Sequence, residues 1–234
     1  MALVPDDLAI NRQERCPVVL ALDVSSSMAA ENRIGQLNDA LVQFKNELID
    51  DKLASLRVEL AIVTFDDTAR LLQDFVILKD FHPPRLEVGG MTAMGQAMDL
   101  SLKTIEARKN VYRTSGIKYF RPWIWLMSDG APNDTGWEQA ASRALAAEAA
   151  KKAKIFAVGI GDGADLTTLA RFAQERPVRV DPRMFGRMFA WLSTSIQVMA
   201  NSRPQSDAGG DGMTAVTAAG EQIKLPPITW GKLD

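Results

Sequence analysis

The sequence has a single cysteine, Cys16, and a single histidine, His82. One cysteine excludes an internal disulfide framework and any zinc site built from several thiolates. One histidine excludes imidazole-rich metal centres and argues against a His-based catalytic triad. No apolar stretch approaches the roughly 20 residues needed to span a bilayer. Residues 1–15 carry Asp6, Asp7 and Glu14 and lack the apolar core of a secretory signal. An excess of one charge is also missing. The 27 Lys and Arg against 29 Asp and Glu leave a net −2, which gives no reason to expect a nucleic-acid or membrane partner. Together these absences predict a protein of the reducing cytoplasm. The Asn133-Asp134-Thr135 sequon has no meaning without export.

What is present is an ordinary globular composition, 47% hydrophobic and 24% charged over 234 residues. A chain of this length can bury about 70–75% of its unfolded surface without covalent staples. Residues 18–22 (VVLAL) are continuously apolar and end at Asp23, as expected of a strand buried on both faces. Ile34, Leu37, Leu41, Phe44, Leu48 and Leu53 recur at helical spacing, predicting an amphipathic helix over 31–53. Residues 58–65 (VELAIVTF) read as a second strand, and 69–78 as a third lying antiparallel at the edge.

A helix from Met94 through Ile105 follows, then a strand over 123–127 (WIWLM) that ends at Ser128-Asp129-Gly130. Thr135 and Glu138 stand at capping-box spacing before an Ala-rich helix running to about 152. Strands at 155–160 and 178–180, a short helix at 166–173 and a last helix lined by Phe185, Met188, Phe189, Leu192, Ile196 and Met199 complete the pattern. Such alternation predicts an α/β fold: a doubly wound, mostly parallel sheet with one antiparallel edge strand and helices on both faces. The expected organisation is an extension over 1–15, one domain over 16–201, a Ser-, Pro-, Asp- and Gly-rich linker over 202–213 and a tail over 214–234. The tail contains Leu225-Pro226-Pro227-Ile228-Thr229-Trp230, which fits docking onto the domain, presentation to a partner, or disorder.

Three loops carry the chemistry: Asp23-Val24-Ser25-Ser26-Ser27 after the first strand, Gly89-Gly90-Met91-Thr92 before a helix, and Ser128-Asp129-Gly130 after the double-tryptophan strand. Their side chains offer oxygen and neither nitrogen nor sulfur, which suits a hard cation such as Mg²⁺, with Mn²⁺ or Ca²⁺ as alternatives. Positions 23, 25 and 27 point one way if the chain stays extended. Ligands of open α/β sheets collect at the carboxyl ends of strands where the winding reverses, and Asp23 and Asp129 both stand there if their strands are neighbours. Each loop alone is also ordinary: Asp-x-Ser-x-Ser suits a helix cap and Ser-Asp-Gly a turn.

Taken in this order the three loops resemble the metal-ion-dependent adhesion site of von Willebrand factor type A (VWA) domains. The pattern Asp-x-Ser-x-Ser, Thr, Asp-Gly falls on Asp23, Ser25, Ser27, Thr92 and Asp129 without departure. Val63-Thr64-Phe65, Gly89-Gly90-x-Thr92 and Val158-Gly159-Ile160-Gly161 extend the likeness over about 16–200. Asp-Val-Ser-Ser-Ser-Met, Phe-Asp-Asp-Thr-Ala and Leu-Met-Ser-Asp-Gly-Ala-Pro-Asn-Asp are similar to the bacterial tellurium-resistance-associated (TerY-like) group. The resemblance implies a non-enzymatic module. In it the hydroxyls of Ser25, Ser27 and Thr92 contact the ion, Asp23 and Asp129 act through water, and a partner protein supplies an Asp or Glu. Kinases, phosphatases and other stress-response proteins are the partners the group implies.

An Mg²⁺-dependent phosphohydrolase or phosphotransferase at the same cleft is the alternative, with Asp66, Asp67 and Asp134 as carboxylates for a second metal. Other features have plainer readings. Gly159-Ile160-Gly161-Asp162-Gly163 has the spacing of a strand-to-helix turn rather than a dinucleotide loop. Trp123 and Trp125 fit the core, Cys16 a small buried hydrophobe, His82 a surface loop, Lys151, Lys152 and Lys154 a helix end, and the arginines of 171–187 a solvated surface.

Overall fold

A computed structural model describes Leu8 and residues 11–201, 214–216 and 222–224. Its centre is a six-stranded sheet in the order β3-β2-β1-β4-β5-β6. The strands are β1 (Cys16–Asp23), β2 (Val58–Phe65), β3 (Ala69–Ile77), β4 (Trp123–Ser128), β5 (Lys154–Ile160) and β6 (Val178–Val180). Only β3 runs antiparallel, as the edge partner of β2. Every residue of β1, β2, β4 and β5 is buried, which is why their sequences read as apolar runs rather than as alternations.

The helices are α1 (Arg33–Ile49), α2 (Lys52–Arg57), α3 (Met94–Ser115), α4 (Trp137–Ala149), α5 (Leu166–Leu169) and α6 (Phe185–Asn201). Strand side chains divide between two cores with period two. Val18, Leu20, Leu22, Trp123, Trp125 and Met127 meet Leu41 and Phe44 of α1 and Phe189 and Leu192 of α6. Val19, Ala21, Ile124 and Leu126 meet Met94 and Met98 of α3 and Ala140 and Ala144 of α4. Trp125 stacks on Phe156 at 4.7 Å between ring centroids, so the tryptophans serve the core, as the period predicts. Cys16 is buried, and burial pushes its thiol well above the ordinary range.

The structure corrects several local expectations. The single helix predicted over 31–53 is two helices, because Asp51 leaves the helical conformation and caps α2, accepting from the amides of Leu53 (2.9 Å) and Ala54 (2.8 Å). Before α1 the chain forms a 3-10 turn (Ser26–Asn32), in which Glu31 and Asn32 are left-handed, so regular helix starts only at Arg33. The capping box at Thr135 and Glu138 does not form. Gly136, with φ of 86°, takes the cap position and makes no side-chain cap bond. Helix α5 stops at Leu169, short of the predicted 173. Lys154 is no helix end. It lies buried in β5 against Glu148 (2.9 Å) and Glu175 (2.8 Å). The arginines of 171–187 are partly spent internally: Arg171 covers the Trp137 ring and Arg179 donates to the carbonyls of Gly161 and Ala164. His82 is exposed, with Nδ1 at 2.9 Å from the Asp80 carbonyl.

At the end of the sheet opposite the candidate site, fully buried Glu59 receives Arg15 Nε at 2.8 Å, Arg108 Nε at 2.7 Å and the Tyr112 hydroxyl. The predicted extension over 1–15 (apart from Leu8 and 11–15), the linker over 202–213, the Leu225 to Trp230 segment and the side chain of Met199 lie outside the described residues. In the tail, β7 (Thr214–Val216) and β8 (Gln222–Lys224) pair as an antiparallel ladder.

Candidate metal centre

β1 lies between β2 and β4, with Leu22 opposite Met127. The next residues, Asp23 and Ser128, therefore leave the sheet side by side. The chain proceeds from β1 to β2 on one side and later to β4 on the other, so this is where the winding reverses. The condition set by the sequence, that the strands ending in Asp23 and at Asp129 be neighbours, is met.

Asp23 is fully buried. Its Oδ1 accepts the Ser25 amide at 2.8 Å and its Oδ2 the Ser128 hydroxyl at 2.5 Å. Burial pushes its carboxyl up to about 6 despite these bonds, and the nearby charge of Asp129 pushes in the same direction. Ser25 Oγ lies 2.9 Å from Ser27 Oγ, which donates to Asp129 Oδ1 at 2.6 Å. One hydroxyl has one proton, so Ser25 donates to Ser27 and the chain of donors ends on Asp129. The other Asp129 oxygen accepts Arg33 Nη1 at 2.7 Å.

Thr92 reaches the same place from the loop of Gly89 and Gly90. Its Oγ1 is 3.9 Å from where a Cβ on Gly130 would lie, beside Asp129. Asn133 fixes its backbone in both directions: Asn133 Oδ1 accepts the Thr92 amide and the Asn133 amide donates to the Thr92 carbonyl, each at 3.1 Å. The Ser26 hydroxyl and amide both donate to the Gly90 carbonyl, at 3.0 and 3.1 Å. Gly90 has φ of 64°, and a Cβ there would meet Asp67 Cγ at 2.7 Å, so only glycine fits this turn. Asp134 accepts the amides of Gly95 (3.1 Å) and Gln96 (2.9 Å), capping α3 from a different loop.

The five candidate side chains of Asp23, Ser25, Ser27, Thr92 and Asp129 thus gather around one cleft. Sequence reasoning missed Arg33 and Asn133 as parts of it, and placed Ser128 in its third loop without giving it a role of its own. Asn133 lay within the run Leu-Met-Ser-Asp-Gly-Ala-Pro-Asn-Asp that carries the family likeness; Arg33 had no signal. Among the described residues no three His, Cys, Asp or Glu side chains converge to hold a metal. A cation here would rest on hydroxyls together with two carboxylates. The donor set fits one: a desolvated carboxylate and three hydroxyls are oxygen ligands for a hard ion.

A six-stranded, mostly parallel sheet with one antiparallel edge strand and a polar cleft at its switch point defines the Rossmann-like class of VWA folds. The von Willebrand factor type A domain profile matches residues 18–185, and the chain belongs to this family. Solved structures agree in fold. A von Willebrand factor type A protein from Catenulispora acidiphila superposes with a TM-score of 0.61 at 16% identity, over 82% of this chain and 44% of that one. The pilus adhesin SpaC from Lactobacillus rhamnosus GG gives 0.61 at 13%, over 80% and 31%. Proximal thread matrix protein 1 from the mussel byssus, in a form with its metal-ion-dependent adhesion site occupied by zinc, gives 0.53 at 17%, over 79% and 48%. This chain therefore spans less than half the length of each of these neighbours. Among proteins with curated descriptions none matches. Domains of this family often mediate metal-dependent protein interactions.

Proposed function

We propose that this protein is a non-enzymatic, divalent-cation-dependent binding module that captures an acidic side chain of a partner protein. One observation carries the reading: the unbroken chain of hydrogen bonds from Ser25 through Ser27 to Asp129, beside a buried Asp23 held by Ser128. The hydroxyls of Ser25, Ser27 and Thr92 would hold the ion, Mg²⁺ in the first instance and Mn²⁺ or Ca²⁺ by the same chemistry. Asp23 and Asp129 would orient its waters. When bound, a divalent ion held by neutral hydroxyls supplies an electrophilic centre that an Asp or Glu carboxylate can complete. The zinc-occupied site of the mussel byssus protein supports the choice of a divalent ion. Met91, 60% exposed next to Thr92, offers an apolar contact for the residue flanking that carboxylate.

The phosphohydrolase reading is disfavoured by the carboxylates it needs. Asp66 accepts the Thr68 amide and Arg70, Asp67 the Met91 amide, and Asp134 caps α3. Sequence likeness to the tellurium-resistance-associated (TerY-like) group supports a cytoplasmic stress-response setting, with a kinase, phosphatase or related protein as partner. Among the described residues no helix is long and apolar enough to cross a membrane. The test is affinity capture from lysate with wild type and Asp23→Ala, each with Mg²⁺ and with EDTA. A partner held only by wild type with metal is expected; equal capture in all four conditions refutes the proposal.

A further inference from the structure

Arg33 begins α1 and turns its guanidinium back over the strand ends. Nη1 takes Asp129 Oδ2 at 2.7 Å while Ser27 holds Oδ1, so both oxygens of Asp129 are engaged. The Arg33 side chain is 16% exposed and that of Asp129 1%, which keeps the pair largely out of water. The guanidinium also faces Gly161, just beyond β5, where a Cβ would come within 3.3 Å of Arg33 Nη2 and where φ is already 74°. Arg33 Nε is buried without a hydrogen-bond partner. A buried donor left unsatisfied is destabilising, because its lost hydration is not replaced. Hydrogen bonding alone therefore accounts poorly for an arginine here, and its charge is the remaining contribution. The charges of Asp23, Asp129 and Arg33 sum to −1, where the two carboxylates alone would give −2.

We propose that Arg33 is a built-in counter-cation of the cleft. It loosens the site's hold on a divalent ion and leaves the loaded site with net positive charge, so that an anionic partner group is selected. This rests on the reading that the cleft takes a divalent cation. With Arg33 the loaded cleft carries +1; without it, zero. Arg33 also covers Asp129 when no ion is present, which spares two neighbouring carboxylates from facing each other unscreened.

The test uses Mn²⁺ alone as the probe on the full chain, with wild type, Arg33→Gln and Arg33→Lys. Gln keeps a donor toward Asp129 without the charge; Lys keeps the charge. Dissociation constants come from the electron paramagnetic resonance signal of free Mn²⁺, and melting temperatures are taken in EDTA and in saturating Mn²⁺. R33Q is expected to bind Mn²⁺ about tenfold tighter, the order for one unit charge acting on a divalent ion across solvated protein. R33K should stay close to wild type. In EDTA R33Q should melt lower, and Mn²⁺ should raise its melting temperature more than that of wild type. Acetate added to the Mn²⁺-loaded proteins, followed by water proton relaxation, should bind several-fold more weakly to R33Q.

A purely structural role would weaken Mn²⁺ binding in both variants. Equal or weaker binding by R33Q, with wild type binding normally, overturns this inference and leaves the cation reading standing. Failure of wild type to bind Mn²⁺ overturns both.

Discussion

Asp23 gives the most demanding quantitative prediction. Its carboxyl lies at about 6 against an ordinary 3.8, chiefly because the folded chain removes it from water. Without metal, the folded protein binds more protons than the unfolded chain between these two values. Stability of the metal-free protein therefore falls as pH rises from about 4 to about 6, and the contribution of this group is flat above. At 1.36 kcal/mol per unit the full loss is about 3 kcal/mol, a large share of a stability of about 5–15 kcal/mol. Asp23→Asn retains acceptance of the Ser25 amide and removes the titration. Other carboxylates titrate in the same window with the opposite slope, so the difference between wild type and Asp23→Asn is the quantity to follow. Urea denaturation in EDTA from pH 4 to pH 7.5 should show the variant gaining on wild type by up to about 3 kcal/mol as pH rises. Saturating Mg²⁺ at pH 7 should return the advantage to wild type, since the cation favours the ionised carboxylate. Parallel curves for the two proteins in EDTA would refute the argument.

Four further outcomes follow from the same geometry. Glu59→Ala leaves Arg15 and Arg108 without their buried acceptor and should cost about 3–5 kcal/mol in urea denaturation, with Mn²⁺ affinity unchanged because the network lies at the other end of the sheet. Gly90→Ala forces a Cβ into Asp67 at a left-handed backbone position, so Mn²⁺ titration should show at least about a tenfold loss of affinity, the equivalent of about 1.4 kcal/mol. Asp134→Ala removes the cap on α3 and should lower stability by about 1 kcal/mol, read as a shift in the urea midpoint. Cys16 should resist a thiol reagent in the native state and react fully in denaturant, since its thiol is buried and held protonated.

The sheet was legible in the sequence because its strands are buried on both faces: VVLAL, WIWLM and IFAVGI have no polar position to confuse with a helix, and VELAIVTF has only Glu59 and Thr64. The loops of the cleft were legible because oxygen-bearing residues cluster where those runs stop. Helix boundaries were not. Asp51 is neither rare nor marked in the sequence, and only its conformation divides α1 from α2. Thr135 and Glu138 have capping-box spacing, yet Gly136 takes the cap position. Lys154 looks like a solvated lysine until Glu148 and Glu175, from separate segments, close on it. Arg33 is the instructive case. It lies six residues beyond Ser27 in an unremarkable helix start, and its role depends on Asp129, 96 positions away. Spacing within a loop and the order of strands can be read from a chain; the encounter of one helix-start arginine with a distant carboxylate cannot.

The bond between Asp23 and Ser128 joins residues 105 positions apart. Asp23 therefore leaves the ribosome well before the residue that completes its environment. At about 5–20 residues per second, several seconds separate the two. During that interval β1 can pair with β2 but has no partner on its other side, and the Asp23 carboxylate still faces water. Cation affinity at this cleft would then appear only after β4 and the loop that follows it have been added. A nascent or truncated product ending before β4 would lack Ser128 and Asp129, and with them a place for an ion, so metal binding would report that the chain has been made and folded at least through β4.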